Sequence, residues 1–380
     1  MGLKLCLVSC FPNCRGRLSE YAEALVKELA KLEEIEKIDI LSNTETTSPP
    51  KIDKVKVIPL WENNNALSIL KIIWYIIKNK PHIVHYNISL SVFGRSRIVN
   101  FIGLALPALT KVLGFKTITT MHNFPEAIKP ETAGLKKTLL NVLGLFIATK
   151  LACSSHTVVV LVRSYLKFVK ARYNEKAIFI PHGAWFTDCK PDFNINHGIL
   201  FLGHIGPNKD IELLVEAFKK IKENPKFKEA KLFIVGAPHP IFTEYINILT
   251  KLDGANDIYY IGYLENGKLP KLLKNIGLIV LPYKACTGTS GVVHLLAAFG
   301  KPMIASDLPE FRELAREGAG IMIIPHRVES FVKAITNVML HPSLAEKLGR
   351  ANRKFAEERK WALIARQYLE IYKRLWLEAS

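Results

Sequence analysis

A short loop near the middle of the second half of the chain combines hydroxyl groups with glycine. It consists of Thr287, Gly288, Thr289, Ser290 and Gly291, and it lies between an apolar run ending at Pro282 and a run of good helix formers. Small residues at a helix start let several backbone N–H groups converge on one anion, and the helix dipole adds partial positive charge. The loop is therefore a candidate phosphate or sugar site, with a plain tight turn as the alternative. It is not a P-loop, because no Gly-Lys-Ser/Thr follows at the required spacing.

Three other residues stand just after predicted strands, where ligands of an open parallel sheet bind. His122 follows the strand KTITTM, and its imidazole could donate to a hydroxyl or shuttle a proton; a structural role is the alternative. Lys209 follows FLGHIGPN and could neutralise a diphosphate, or it could simply be a solvated lysine at a helix start. Gly16 lies in the loop between the first predicted strand and helix, where a phosphate or an acceptor could be contacted.

The elements that must position these residues alternate between strand and helix. In the first half, strands are predicted at Leu3–Ser9, Ile38–Leu41, Val55–Pro59, Ile83–Tyr86, Lys116–Met121 and Ala177–Ile180. Helices are predicted at 18–32 and near 67–79, 95–113, 135–149 and 157–171. A new alternation of six strands and helices begins at Gly198, after a stretch without periodicity at 186–197. We therefore predict an α/β protein with two doubly wound, parallel-sheet, Rossmann-like domains.

Composition limits the possible classes of protein. The 380 residues carry a net charge of +18, and between 63 and 180 there are 16 Lys or Arg but only 3 Asp or Glu. Long aliphatic side chains, rather than stacking aromatics, interleave with this charge, which favours an anionic membrane surface over nucleic acid. A merely solvated basic face is the alternative. The six cysteines form no CxxC pair, so we expect reduced thiols in a cytoplasmic protein.

At this point the chain resembles the retaining glycosyltransferases of GT-B fold, in the large family-four group. The resemblance is strongest from Gly198 to Tyr372 and rests on several motifs in order: FLGHIGPNKDIELLVEAF, KLFIVGAP, the 287–291 loop with its flanks, SDLPEFREL and WALIARQYLEIYKRL. It implies two domains facing across a cleft, one of residues 1–186 with the returning helix 361–380, the other of residues 197–360. It also implies transfer from a nucleotide sugar without a cofactor or tightly bound metal.

The resemblance also implies roles for individual residues. His122 would contact the donor sugar near the reacting bond, and Lys209 would contact the diphosphate. Donor-binding positions would be Gly16, His204, Thr287, Gly288, Thr289, Ser290, Gly291 and Glu313. The expected acceptor is a lipid-linked or polysaccharide glycan, used in the cytoplasm or at the inner face of the cell membrane, with no nucleic acid as partner.

Two departures from the family pattern affect this interpretation. His204 stands where the family usually has arginine, and the usual glutamate pair falls on Thr287 and Leu295. The form TSGVVHLLAAFGKP resembles a subgroup with Ser-Gly in place of the first glutamate region. These departures leave open a catalytically lapsed subunit that binds a nucleotide sugar or a partner transferase, or, less favoured, a GT-B epimerase or phosphorylase.

Overall fold

The protein divides into two compact units. The computed structural model describes residues 2–12, 17–127, 138–185, 193, 197–238, 245–252, 257–264, 266–286 and 288–378. The N-terminal unit comprises 1–183, 287–289 and 361–380, and the C-terminal unit comprises 184–286 and 290–360.

The N-terminal unit is built on a seven-stranded, fully parallel sheet. Its strands are β1 (Leu3–Val8), β2 (Ile35–Asn43), β3 (Val55–Trp61), β4 (Ile83–Ile88), β5 (Lys116–Met121), β6 (Thr157–Val160) and β7 (Ile178–Phe179), in the spatial order β3-β2-β1-β4-β5-β6-β7. The central strands are buried on both faces because helices cover both sides of the sheet. The chain order reverses beside β1, so the carboxyl ends of β1 and β4 form the switch point of a doubly wound sheet.

One predicted element of this unit was wrong. The segment 157–171 was expected to be helical, but Thr157–Val160 forms β6 and the helix begins only at Tyr165. Four consecutive β-branched residues fit a pleated surface better than a helix, and all four are buried between β5 and β7.

Seven helices cover this sheet within the described residues. They are α1 (Arg17–Ala30), α2 (Ala66–Asn79), α3 (Arg97–Leu104), α4 (Leu106–Val112), α5 (Leu139–Ala152), α6 (Tyr165–Arg172) and, from the end of the chain, α14 (Trp361–Leu377). The helix expected over 95–113 is two helices, because the chain turns at Ala105 and α4 begins at Leu106 with Pro107 in its first turn. No described helix is long and apolar enough to cross a membrane.

The C-terminal unit repeats the same architecture with six parallel strands. Its strands are β8 (Gly198–Leu202), β9 (Lys231–Val235), β10 (Ile258–Tyr260), β11 (Ile276–Leu281), β12 (Met303–Ser306) and β13 (Ile321–Ile324), in the order β10-β9-β8-β11-β12-β13. Its helices are α7 (Ile211–Lys222), α8 (Tyr245–Leu252), α9 (Leu269–Leu273), α10 (Gly291–Leu296), α11 (Pro309–Arg316), α12 (Val328–Leu340) and α13 (Pro342–Glu357). The prediction of two doubly wound parallel α/β sheets is confirmed.

A buried polar network ties α14 to the N-terminal sheet. The Tyr368 hydroxyl lies 2.8 Å from that of Tyr21 on α1 and 2.7 Å from Oγ1 of Thr120 on β5. His85 on β4 bridges the same Thr120, 2.8 Å from Nε2, and the Tyr372 hydroxyl, 2.8 Å from Nδ1. All of these side chains are buried. Hydrogen bonds that close only with α14 in place therefore fix the last helix on this unit.

Burial also sets the protonation of this network. Desolvation lowers the pKa of His85 to about 3, so its imidazole is neutral near pH 7. The unfolded chain binds a proton at this histidine below about pH 6.5, whereas the folded chain does not until about pH 3. Stability therefore falls as the pH drops through this window.

We predict that His85→Gln flattens this pH dependence. Between pH 6.5 and 4.5 the unfolding free energy of the variant should fall less steeply than that of the parent, by about 1.4 kcal/mol per pH unit. At pH 7 the variant should be less stable, since buried hydroxyls lose a partner. Urea unfolding at several pH values measures both effects. His341→Gln, at an exposed histidine, is the control and should keep the parent slope; equal slopes for His85→Gln and the parent would refute the neutral buried imidazole.

Candidate functional site

Just after β8 and β9 in the C-terminal unit, the chain makes a close backbone contact between two glycines, Gly203 and Gly236. The Cα of Gly236 lies so close to the carbonyl of Gly203 that any side chain there would overlap it, and both glycines have positive φ, +140° and +151°. Only glycine accommodates both the contact and the conformation without strain. The loop after β8, which carries the predicted residues His204 and Lys209, is thus held against its neighbour.

Lys209 lies at the end of a 3₁₀ turn, Pro207–Lys209, with its ammonium 3.4 Å from the ring centroid of Tyr283. Burial lowers the pKa of Lys209 below its ordinary value. The neighbouring Cys286 thiol is buried as well, and desolvation raises its pKa to about 12, so it stays neutral. The lysine is therefore a partly desolvated cation held by an aromatic face, which makes an added anion electrostatically favourable.

Asp210, the next residue, gathers two other basic groups. It is buried with a positive φ of 46°, and its Oδ2 lies 3.0 Å from Nζ of Lys284 and 2.8 Å from Nε2 of His326. The other ring nitrogen of His326 is 3.0 Å from Oγ of Ser306. Residues following β8, β11 and β13, with Ser306 at the end of β12, therefore meet at one edge of the sheet.

Sequence reasoning missed Asp210, Lys284 and His326. The signal that would have found His326 was present, since it follows β13 just as His122 follows β5. Lys284 likewise follows the strand that ends at Leu281. The pairing through Asp210 carried no such signal, because it depends on a conformation that a non-glycine residue rarely adopts.

The remaining predicted donor residues are distributed over both units. Thr287 and Gly16 lie outside the described residues. Ser290 is the buried residue before α10, and Gly291 is the first residue of that helix. His204 is exposed in the loop after β8, and Glu313 is half-buried on α11. Gly288 and Thr289 group with the N-terminal unit.

Leu295, which the resemblance aligned with the usual second glutamate, is part of the hydrophobic core of the C-terminal unit. Its neighbour His294 is buried as well, with its ring centroid 5.4 Å from that of Phe355. Both side chains face the interior, so neither is placed to bind a ribose.

His122 in the N-terminal unit is held in a defined tautomer. Its Nε2 lies 2.7 Å from Oδ1 of Asn87, and the Asn87 amide nitrogen lies 2.8 Å from Oγ of Ser9 and 3.4 Å from the carbonyl of Leu18, to which it donates. The carbonyl contact orients the amide, so Nε2 of His122 carries the proton and donates it to Asn87. Burial, followed by the nearby His182 and His85, lowers the pKa of His122 to about 3. The neutral ring therefore presents Nδ1 as an acceptor, rather than the donor that the sequence suggested.

Two aromatic contacts and one glycine fix the surroundings of His122. The Tyr21 ring packs edge-on against it with centroids 4.7 Å apart, and His182 packs on Tyr21 at 5.0 Å. A Cβ on Gly288 would overlap the carbonyl oxygen of His122. The glycine of the predicted loop and the predicted histidine are thus in direct backbone contact, and a larger residue at 288 would separate them.

No group of three or more His, Cys, Asp or Glu side chains within the described ranges is placed to hold a metal ion. Among the cysteines that the structure describes, Cys6, Cys10, Cys153 and Cys286, none is in a disulfide.

Comparison with known sequences finds a likeness to a recognised family over part of the chain. Residues 195–355 match the family model described as glycosyl transferases group 1. The chain is 28% identical over 179 residues to an uncharacterized glycosyltransferase of Methanocaldococcus jannaschii, a match that covers 46% of this chain. The match spans only 44% of the length of that relative.

Comparison with solved structures covers nearly the whole chain. A sucrose-phosphate synthase from Thermosynechococcus elongatus superposes with a TM-score of 0.77 at 16% identity, covering 99% of both chains. Anabaena HepE in complex with UDP-glucose superposes with a TM-score of 0.72 at 14% identity, covering 98% of this chain and 100% of the other. At such identities the likeness shows a shared fold.

The tautomer of His122 gives a prediction that is independent of any reaction. In Asn87→Asp a carboxylate replaces the neutral acceptor beside Nε2, which favours the imidazolium and should raise the pKa of His122 by about one unit or more. Histidine titration followed by NMR measures the change. Asn79→Asp introduces the same charge at an exposed site on α2 and should leave that pKa unchanged. A His122 pKa that stays near 3 in Asn87→Asp would contradict the assigned hydrogen bond.

Proposed function

We propose that the protein is a glycosyltransferase that moves a sugar from a nucleotide-sugar donor, with retention of configuration, to a lipid-linked or polysaccharide acceptor. The observation that carries the proposal is the set of basic groups at the carboxyl edge of the C-terminal sheet. Lys284 and His326 meet there around the Asp210 carboxylate, and the ammonium of the adjacent Lys209 lies on the Tyr283 ring. That edge lies within the segment that matches the glycosyl transferase family model.

The chemistry of such a transfer requires stabilisation of the departing nucleoside diphosphate. Negative charge grows on the leaving oxygen as the sugar–phosphate bond breaks, and positioned cations lower the energy of that transition state. Lys209 suits this role because an aromatic ring, and not the adjacent carboxylate, holds its ammonium, while Asp210 pairs with Lys284 and His326. Partial desolvation strengthens its attraction for a phosphate.

His122 supports the proposal from the N-terminal unit. A neutral imidazole whose Nε2 proton is committed to Asn87 can accept a hydrogen bond from a sugar hydroxyl at Nδ1. With a pKa of about 3 the ring is not a general acid near neutral pH. We therefore assign His122 a positioning contact to the donor sugar.

The nucleotide would be bound by the C-terminal unit, with Ser290, Gly291, His204 and Glu313 as donor contacts. A UDP-sugar is the first donor to test, because Anabaena HepE, which shares the fold, was solved with UDP-glucose. Leu295 cannot provide the family's ribose contact from the core, so the ribose requires another polar group.

A second candidate is a catalytically lapsed subunit that binds a nucleotide sugar or stabilises a partner transferase. The observation that favours it is the burial of Leu295 in place of a carboxylate. This candidate predicts donor binding without turnover, which separates it from the enzyme.

The location of the reaction follows from the acceptor. A lipid-linked acceptor would be used at the inner face of the cell membrane by a cytoplasmic protein that associates peripherally. The basic excess between 63 and 180, with 16 Lys or Arg against 3 Asp or Glu, supports an anionic surface as partner.

We predict that Lys209→Ala lowers donor turnover by about 100-fold, in line with the loss of one transition-state charge contact. Release of nucleoside diphosphate from a panel of UDP-, GDP- and ADP-sugars, with membrane lipid extract as acceptor source, measures the rate. Lys347→Ala, at an exposed lysine on α13, is the matched control and should keep the parent rate.

The panel also separates the two candidates. Turnover by the parent that is insensitive to Lys209→Ala would refute the role of this lysine. Donor binding without turnover of any donor would favour the catalytically lapsed subunit over the enzyme.

We further predict that transfer continues in excess EDTA, since cationic side chains would stabilise the diphosphate without a tightly bound metal. Rates before and after chelation, and after return of Mg²⁺ or Mn²⁺, provide the measurement. A rate that falls on chelation and recovers only with a divalent cation would show that the side chains alone are insufficient.

A further inference from the structure

Exposed apolar side chains are concentrated on one part of the N-terminal unit. Among the described residues, 19 large apolar side chains are exposed, and 15 of them lie on or directly after α2, α3, α4 and α5. They are Leu67, Leu70, Trp74, Ile77, Ile98, Phe101, Leu109, Val112, Leu113, Leu139, Leu140, Val142, Leu143, Phe146 and Ile147. Single exposed apolar residues are ordinary, but a concentration of this size marks a binding surface.

Helix α2 shows that the exposure is not a by-product of core packing. Ile69, Ile72 and Ile76 form the stripe that packs against the unit. A second stripe, spaced for the opposite side of the helix, exposes Leu67 by 77% and Trp74 by 60%. A helix that only covers a sheet needs one apolar stripe, so the second stripe requires a different contact.

The four helices form one continuous surface. Helix α3 packs against α2, α4 and α5, and α4 also packs against α5. Arg97 on α3 donates to Oδ1 of Asn141 on α5 at 3.0 Å. We call this region the α2–α5 surface.

Charge on the α2–α5 surface is of one sign. Residues 66–113 and 138–152 contain seven Lys or Arg and no Asp or Glu. The ammonium of Lys78 lies 4.9 Å from the ring centroid of the exposed Trp74. An amphipathic aromatic ring beside a long cationic side chain is typical of the boundary between lipid tails and headgroups.

The first turns of the helices on the α2–α5 surface contain no acidic side chains, although the helix dipole would favour them there. An acidic side chain in the first turn stabilises a helix, yet α2, α3, α4 and α5 have none, and α3 even begins with Arg97. In the C-terminal unit, α7, α11 and α12 each carry a glutamate in the first turn. Four of the described helices, α1, α7, α11 and α12, use this stabilising interaction, and all four lie outside the α2–α5 surface.

We propose that the α2–α5 surface docks on a lipid bilayer that contains anionic headgroups. The apolar side chains enter the headgroup boundary while Lys and Arg pair with lipid phosphates. A two-fold contact with a second copy is disfavoured, because it would place the cations of this surface opposite themselves. The proposal rests on the proposed function in one respect, since it supplies the surface at which a lipid-linked acceptor would be met.

Flotation of the purified chain, without donor or acceptor, tests the proposal. Vesicles of phosphatidylcholine alone are compared with vesicles containing equimolar phosphatidylglycerol. We expect binding that is stronger with phosphatidylglycerol and weaker at high salt. Leu70→Glu with Trp74→Glu should reduce partitioning by about tenfold or more, and Lys71→Glu with Lys78→Glu should reduce the phosphatidylglycerol-dependent part by a similar factor.

Matched controls change the same residue types elsewhere. Leu340→Glu with Leu363→Glu alters two apolar side chains of comparable exposure, 47% and 45%, outside the α2–α5 surface. Lys347→Glu with Lys354→Glu reverses two exposed lysines on α13. Both pairs should bind vesicles as the parent does, and thermal unfolding of all variants identifies any loss of fold.

Three results would overturn the proposal: a parent that does not float with either vesicle, control pairs that lose as much binding as the surface variants, or a concentration-dependent dimer that Leu70→Glu with Trp74→Glu abolishes. Donor turnover without vesicles is measured in parallel. The surface variants should retain it, so a failed docking surface and a failed glycosyltransferase assignment give different results.

Discussion

The constraint on which the N-terminal unit depends is that its buried hydroxyls and imidazole must be paired. Tyr21, Thr120, Tyr368 and His85 are inaccessible to water, and each would cost roughly 1–3 kcal/mol if left without a partner. The partners come from α1, β4, β5 and α14, so the network closes only when the last helix returns to the first sheet. Helix α14 directly follows the C-terminal unit in the sequence, so these hydrogen bonds, and not its position in the chain, explain why it packs on the N-terminal unit.

The same desolvation that makes these hydrogen bonds necessary sets the chemistry of His122. Its imidazole stands at the carboxyl end of β5, next to the buried network, and loses the ability to hold a proton near neutral pH. Asn87 then fixes which nitrogen carries hydrogen, since its own amide is oriented by donation to the carbonyl of Leu18. In the C-terminal unit desolvation likewise lowers the pKa of Lys209. The same desolvation strengthens the electrostatic attraction between its ammonium and an approaching anion.

Periodicity predicted most of the architecture because buried parallel strands read as short apolar runs between amphipathic helices. Strand β5 has the bounds that the sequence predicted, Lys116–Met121. The failure at Thr157–Val160 arose because a short apolar run next to a helix can continue that helix or form a strand, and only the neighbouring strands decide. At the site, the residues directly after strands were predictable from the sequence. The pairing of Asp210 with Lys284 and His326 was not, because it depends on a left-handed backbone conformation at Asp210 that no sequence pattern predicts.

The two basic regions of the N-terminal unit differ in where their cations lie along the helices. A cleft of about 480 Å³ is lined by five cations, Lys111, Lys150, Lys170, Arg172 and Lys176. The first four lie in the last turns of α4, α5 and α6, where positive charge stabilises a helix, and Lys150 also donates to the carbonyl of Tyr173 at 3.0 Å. Helix ends thus account for most of that charge without a ligand. Arg97 has the opposite placement, at the start of α3, where helix stability disfavours it. Its hydrogen bond to Asn141 needs no net charge, so the positive charge at that position is better explained by an anionic partner of the α2–α5 surface than by the fold.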